Sequence, residues 1–318
     1  MRLVVVGAGA IGSLFAARLA SHGEHPLLVG RPPEVDAIRA RGLEVVDGAS
    51  ARFPVDARTH LPPRTPADLV VLAVKSFDAR QAAMEVAQAV APPTVVLALQ
   101  NGLGVDEWVR EGLTAGGWPA DRGEVVQGVN SVPATLLRPG VVRAAGSGEL
   151  VLPEPGEGLR LDALRAFAKH LEGPTVTVRW TDHIQREVWR KLLVNAAINP
   201  VTADHRVVNG ALLREPLRAQ AEQLLREAQR AAALAGYPFT DDEADRELWK
   251  VVRATAENRS SMLQDLDRGR PTEVEAISGA VLAEGRRHGV ELPATERALR
   301  RIRERAARGG SAGSGQSV

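Results

Sequence analysis

A chain of 318 residues, 44% hydrophobic and 25% charged, has ordinary globular composition and is long enough for one large or two medium domains. Its 40 basic and 39 acidic residues leave a net charge of +1 with both signs interleaved, which excludes the electrostatic footprint of a nucleic-acid binder. The lack of cysteine excludes disulfides and thiolate metal sites, and the 7 histidines show no H-E-x-x-H or similar ligand spacing, so no metal is expected.

The chain opens on "MRLVVVGAGAIGSLFAARLA". Arg2 before an apolar run imitates a signal peptide, but three glycines interrupt the run. No later apolar stretch reaches the roughly 18 residues of a membrane span. A cytoplasmic protein without membrane contact is the expectation. Gly7, Gly9 and Gly12 form G-x-G-x-x-G with Ala8, Ala10 and Ile11 between them, after the strand-like "RLVVV" and before the helix-like "IGSLFAARLASHG". In that setting the glycines permit a tight turn, close approach of a pyrophosphate and close helix packing, so a dinucleotide site is predicted.

The next strand, "HPLLVGR", ends on Arg31. An NAD site usually places Asp or Glu there, to accept from the ribose 2′-hydroxyl. A guanidinium can instead fork onto a 2′-phosphate, which favours NADP(H); the other reading is a surface arginine in an arginine-rich chain. "ADLVVLAVKS" and "PTVVLALQNG" bring Lys75 and Asn101 to strand carboxyl ends, the edge that lines the ligand crevice of open α/β sheets; loop capping is the alternative for both. With "GVVRAAG" and "TVTVRW", these Gly- or Pro-bounded apolar runs read as buried parallel strands.

From about Asp182 the pattern is helical: "IQREVWRKLLVNAAIN", "REPLRAQAEQLLREAQRAAALAG", "DEADRELWKVVRATAENRSSMLQDL", "TEVEAISGAVLAEGRRHG" and "TERALRRIRERAA". Gly236 and Gly289 read as C-terminal stops and Thr272 to Glu275 as a capping box. Pro200 is expected to end or kink its helix. The fold class is therefore α/β: an N-terminal Rossmann-type dinucleotide-binding domain (1–181), an all-α domain (182–307) and a Gly/Ser-rich tail (308–318). The tail contains G-G-S-A-G from Gly309 to Gly313, which matches a nucleophile elbow without the strand and helix that motif requires. The apolar face of "AEQLLREAQRAAALAG" suits either a homodimer interface or the core.

Only Lys75, Lys169, Lys191 and Lys250 are lysines, so the proton-releasing type is scarce among the basic residues. Lys191, Asn195 and Asn199 recur every four residues, on the face of a mostly apolar helix that also carries Glu187. A Glu187–Lys191 pair on a solvated face explains the charges but not the asparagines, which are poor helix formers. A lined cavity with a proton-donating lysine at its edge explains both. Asn258 and Ser261 read as i,i+3 neighbours on a later helix, with Glu273 at the next helix start; a wet face and a helix N-terminal carboxylate are the alternatives.

"GAGAIGS", "VKSFD", "QNGLG", "RKLLVNAAINPVTA" and "TAENRSSMLQDLDRGRPTEVEAISG", in this order, resemble the 2-dehydropantoate 2-reductase (ketopantoate reductase) family from Met1 to about Ala307. The resemblance implies NADPH-dependent reduction of 2-dehydropantoate to (R)-pantoate on the route to pantothenate and coenzyme A. It implies hydride transfer from NADPH to C2 and Lys191 as the proton donor. It implies cofactor contacts from Gly7, Ala8, Gly9, Ala10, Ile11, Gly12, Lys75 and Asn101, the 2′-phosphate on Arg31, and Ala134, in the "VPATLLRPG" turn, near the nicotinamide end. Lys191, Asn195, Asn199, Asn209, Asn258 and Ser261 would hold substrate, and Glu273 would contact both the cofactor and the catalytic lysine. A related NADP-dependent 2-keto acid reductase and a dinucleotide-binding regulator without turnover are the alternatives.

Overall fold

A computed structural model describes residues 1–92, 94–119, 123–154 and 161–312. The chain divides into two compact units: Met1–Gln100 with Gly104–Ile184, and Asn101–Leu103 with Gln185 onward.

The first unit is built on strands β1 (Leu3–Val6), β2 (Leu27–Val29), β5 (Asp56–Arg58), β6 (Leu69–Leu72), β7 (Thr94–Ala98) and β8 (Gly123–Gln127). They form one sheet, ordered β5-β2-β1-β6-β7-β8, in which every pairing is parallel. The order reverses between β1 and β6, the switch point where open α/β sheets bind ligands. Alternation of side chains along each strand buries both faces. Leu3, Val5, Leu69, Val71, Val95 and Leu97 face helices α1 (Ala10–Ser21) and α5 (Leu161–Leu171). Val4, Val6, Val70, Leu72, Val96 and Ala98 face α3 (Ala79–Ala89) and α4 (Val105–Ala115). Helix α2 (Pro32–Arg41) follows β2.

Two of the runs read as parallel strands belong to other sheets. "GVVRAAG" is β11 (Val141–Ala144), which pairs antiparallel with β10 (Ala134–Arg138) and parallel with β3 (Leu43–Asp47); β4 (Ala49–Phe53) completes that sheet. "TVTVRW" is β13 (Val176–Thr181), beside β12 (Gly148–Pro153), which also pairs with β9 (Val129–Asn130). Apolar content identified the strands but not their partners, which depend on distant residues. Ala134 opens β10 rather than lying in a turn, because it pairs with Ala144; the turn falls at Gly140, φ +75°.

No strand follows Thr181 among the described residues. The helical unit comprises α6 (Ile184–His205), α7 (Leu217–Leu234), α8 (Asp241–Ala254), α9 (Ser261–Asp267), α10 (Ala280–Arg287) and α11 (Pro293–Ala312). Pro200 does not end α6, which runs on to His205. The missing N–H costs one bond, while the Thr202 hydroxyl donates to the Ile198 carbonyl at 2.8 Å and the surrounding stretch is buried. Gly236 and Gly289 do adopt positive φ just after α7 and α10. The apolar face of α7, including Leu224, Leu225, Ala228 and Ala232, lies in the core of this unit.

Three further expectations change. Thr272 to Glu275 is not a capping box: helical backbone starts at Val274, and Glu275 turns to Arg303, which donates at 2.6 and 2.8 Å. The single helix read through "ENRSSMLQDL" is broken at Thr255, and Ser260 caps a new helix by accepting from Leu263 N–H. Helix α11 continues to Ala312, five residues into the expected tail, since propagation adds one bond per residue fixed even where glycine is a poor former. Gly309 to Ala312 of the false nucleophile motif are thus helical, and residues 313–318 lie outside the described residues. No helix among the described residues is long and apolar enough to cross a membrane.

Candidate active site

In the first unit, Gly7 follows β1 with φ +115°, a region that disfavours side chains. A Cβ there would stand 2.7 Å from the Ala73 carbonyl group, and one on Gly12 would stand 1.9 Å from the Gly7 carbonyl oxygen. Both glycines are required by the protein's own packing. Gly9, at the N-cap of α1, has nothing within 4 Å of a built Cβ. The first turn of α1 carries no acidic residue, and its leading N–H groups have no partner within the helix. This loop and helix start can take a phosphate against backbone donors.

Gly30 N–H donates to the Arg58 carbonyl at 2.9 Å, and a Cβ on Gly30 would stand 2.3 Å from the Ala8 Cβ. The end of β2 is therefore pressed against the glycine loop, and Arg31, exposed at the N-cap of α2, follows directly. Lys75 is partly buried after β6, beyond Ala73 and Val74, which touch Gly7. Its carbonyl accepts from Asp78 N–H at 2.9 Å in the 3₁₀ turn Ser76–Asp78. Burial raises the Asp78 carboxyl above its ordinary range, against the lowering effect of the Arg31 charge. Arg31 and the Lys75 turn thus share the carboxyl edge at the switch point with the glycine loop. Ala134 is partly buried in the same unit.

In the helical unit, Lys191, Asn195 and Asn199 lie on α6; the first two are partly buried and Asn199 is buried. Burial lowers Lys191 to about 8 from its ordinary 10.5, opposed by the charge of Glu273. Glu273 is only 6% exposed. Its Oε2 accepts from the side-chain amide of Asn101 at 2.9 Å. Lys191, Glu273 and Asn101 therefore form one polar cluster, although they are distant in sequence. Glu187 contacts Arg190 at 3.3 Å.

Asn209 opens the 3₁₀ turn Asn209–Leu213, which docks on the chain after α8. Its N–H donates to the Asn258 carbonyl, and Gly210 N–H to that of Ala256, each at 2.9 Å. Its side-chain amide donates to Thr255 Oγ1 at 2.9 Å, and the Thr255 hydroxyl donates to the Val251 carbonyl at 2.8 Å. Because that hydroxyl proton is committed, the Asn209 amide must present its nitrogen to Thr255, leaving Oδ1 as a buried acceptor without a partner among the described residues. Asn258 and Ser261 are exposed, and only Ser261 is helical, so they are not i,i+3 neighbours on one helix. Thr202 Oγ1 lies 2.8 Å from Ser260 Oγ, which ties the start of α9 to α6 beside Asn199.

Sequence reasoning missed Thr255 and Ser260. The serine before "SMLQDL" is a helix-start signal in its own right, whereas nothing in the spacing points to Thr255.

Two family models match, described as Ketopantoate reductase PanE/ApbA over residues 3–157 and Ketopantoate reductase PanE/ApbA C terminal over residues 183–306. The 2-dehydropantoate 2-reductase of Halobacterium salinarum is 37% identical over 92% of this chain and 95% of its own length. That of Archaeoglobus fulgidus is 34% identical over 95% and 97%. The crystal structure of a PanE/ApbA family ketopantoate reductase from Ralstonia eutropha superposes with a TM-score of 0.85 at 30% identity, covering 97% of this chain and 99% of that one. D-mandelate dehydrogenase, solved with NADH and anilino(oxo)acetate, shares the fold with a TM-score of 0.87 at 23% identity over 97% and 99%. With both halves matched and the relatives aligned nearly end to end, the chain belongs to the ketopantoate reductase family of oxidoreductases.

Proposed function

We propose that the protein reduces 2-dehydropantoate to (R)-pantoate with NADPH, in the cytoplasm, on the route to pantothenate and coenzyme A. The observation that carries this reading is Lys191, a lysine held at about 8 by burial beside Glu273, on a helix face shared with Asn195 and Asn199. Family relatives named 2-dehydropantoate 2-reductase support the substrate.

The first unit fits a dinucleotide, since Gly7 and Gly12 close the turn and Gly9 leaves open space over the first turn of α1. Ala8, Ala10, Ile11, Lys75, Asn101, Ala134 and Glu273 complete the proposed cofactor contacts. The mandelate enzyme carries NADH; here the cationic Arg31 after β2 supports a 2′-phosphate. When bound, the nicotinamide supplies the hydride that reduces the C2 carbonyl.

The remaining steps fall to side chains. The protonated Lys191 amine donates from Nζ to the oxygen that becomes the C2 hydroxyl, and its charge steadies that oxygen as negative charge develops. Burial favours the neutral amine left behind, and Glu273 favours the ammonium that must precede it; the two effects keep the donor within reach of neutral pH. Asn195, Asn199, Asn209, Asn258 and Ser261 hold the carboxylate and terminal hydroxyl. An analogue without the hydroxyl would leave a buried acceptor such as Asn209 Oδ1 unpaired, which disfavours simple 2-keto acids.

The test is loss of NADPH absorbance with 2-dehydropantoate, run beside NADH and beside 2-ketoisovalerate, which lacks the hydroxyl. Rapid oxidation of NADPH with 2-dehydropantoate alone is expected. Equal rates with both keto acids would assign the protein to another 2-keto acid, and cofactor binding without oxidation would point to a regulator.

A further inference from the structure

Gly102 stands between two residues that hold Glu273 and the helical turn that follows it. On one side Asn101 donates its side-chain amide to Glu273 Oε2 at 2.9 Å, and on the other Leu103 N–H donates to the Ala276 carbonyl at 3.4 Å. Gly102 has φ +106°, which a side chain rarely tolerates. A Cβ there would stand 2.4 Å from the Ala276 carbonyl oxygen and 2.7 Å from the Ala276 Cβ. Backbone thus lies directly on backbone.

Ala276 belongs to a π-helical turn, Glu275–Gly279, anchored by buried Ile277 and Ser278 and by the Arg303–Glu275 ion pair. Single π turns inside helices are uncommon and concentrate at functional sites. A well-anchored turn offers little yield if a side chain is pushed against it, so any added atom at residue 102 must displace residues 101–103 instead.

We infer that Gly102 is a positioning residue for the Lys191–Glu273 pair: it lets residues 101–103 lie against the π turn, and thereby sets the Asn101 amide on the Glu273 carboxylate and fixes that charge beside the lysine. The inference rests on the reading of Lys191 as proton donor. Asn101 is the working contact, and Gly102 is what gives it its place. A glycine needed only for folding would lower stability when replaced but would not change the lysine's ionisation in the folded protein.

The experiment compares Gly102→Ala, Asn101→Ala, their double variant and Glu273→Gln in the full chain. Lys191 is labelled with acetic anhydride across a pH series, and the labelled peptide is measured by mass spectrometry. With only four lysines in the chain, Lys75, Lys169 and Lys250 serve as internal references. This readout needs no turnover.

Both single variants are expected to lower the labelling midpoint of Lys191 by about half a pH unit or more, toward Glu273→Gln, with the double variant moving no further, as coupled residues behave. The high-pH limb of kcat should move with it. A folded Gly102→Ala with an unchanged Lys191 midpoint, or fully additive shifts in the double variant, would overturn the inference. Should Gly102→Ala not fold, Asn101→Ala decides the matter, since it leaves the turn untouched: a lowered midpoint supports the linkage and an unchanged one overturns it. Failure of the proton-donor reading is separately visible as normal kcat in Lys191→Ala.

Discussion

Asn101 donates to Glu273 at 2.9 Å, and Glu273 is the carboxylate whose charge resists the loss of basicity at Lys191. A residue that follows a strand of the parallel sheet is in this way tied to a carboxylate at the start of a helix, and through it to the proposed donor.

Lys191 sets the first prediction. A donor must be protonated, so kcat should fall as pH rises through about 8. Lys191→Ala should lose roughly 10²–10⁴-fold in kcat, the range of general acid catalysis, with a smaller effect on the KM for NADPH. Stability carries the same signature with the opposite slope. Between about 8 and 10.5 the unfolded chain holds a proton that the folded amine has released, so this group makes the protein more stable as pH rises through that window. Denaturant titrations of wild type and Lys191→Met over that interval should diverge; parallel curves would refute the lowered ionisation.

Gly9 and Gly12 should respond differently to the same added methyl group. Gly12→Ala drives a Cβ into the Gly7 carbonyl, so it should lower Tm before any ligand is considered. Gly9→Ala meets nothing within 4 Å and has ordinary φ of −78°, so its Tm should match wild type. If a pyrophosphate rests on this loop, Gly9→Ala should nevertheless weaken NADPH binding by tenfold or more, about 1.4 kcal/mol. Calorimetry on the two variants separates the protein's need for glycine from the ligand's.

Arg31 decides the cofactor. Arg31→Ala should raise KM for NADPH about ten- to a hundredfold, the worth of a charge-assisted hydrogen bond at about 1.5–3 kcal/mol, and leave NADH nearly unaffected. Equal losses with both cofactors would place the arginine away from the 2′ position.

Thr255→Val removes the acceptor for the Asn209 amide while nearly preserving shape. Leaving that donor unpaired should cost about 1–3 kcal/mol of stability. It should also raise KM for 2-dehydropantoate more than it lowers kcat, with KM for NADPH unchanged, as measured by steady-state kinetics. A normal KM for the keto acid would remove Asn209 from the substrate contacts.

The four central strands of the parallel sheet, β2, β1, β6 and β7, were legible because burial on both faces leaves short runs of mostly Val and Leu; the edge strands β5 ("DAR") and β8 ("GEVVQ") carry charged or polar residues and were not. The sheet of β3, β4, β10 and β11 was not, since "ASARF" is exposed over four of five residues and carries no apolar signal. In the helical unit, periodicity ran unbroken through "TAENRSSM", where the competing side-chain bonds of Thr255 and Ser260 end one helix and begin another. Pro200 misled in the opposite direction, because sequence shows the lost N–H but not the packing that holds α6 together around it. The stripe of Lys191, Asn195 and Asn199 could be read from four-residue spacing alone. The bond from Asn101 to Glu273 spans 172 positions, and no local pattern contains it.

The assignment of Asn101–Leu103 to the helical unit has a practical consequence for recombining family members. A chimera spliced only near residue 184 would take its helices from one parent and this tripeptide from the other. Residues 101–103 and 273–279 therefore form a single heritable part although Asn101 and Glu273 are 172 positions apart, and exchanges that carry both should retain activity where a single splice loses it.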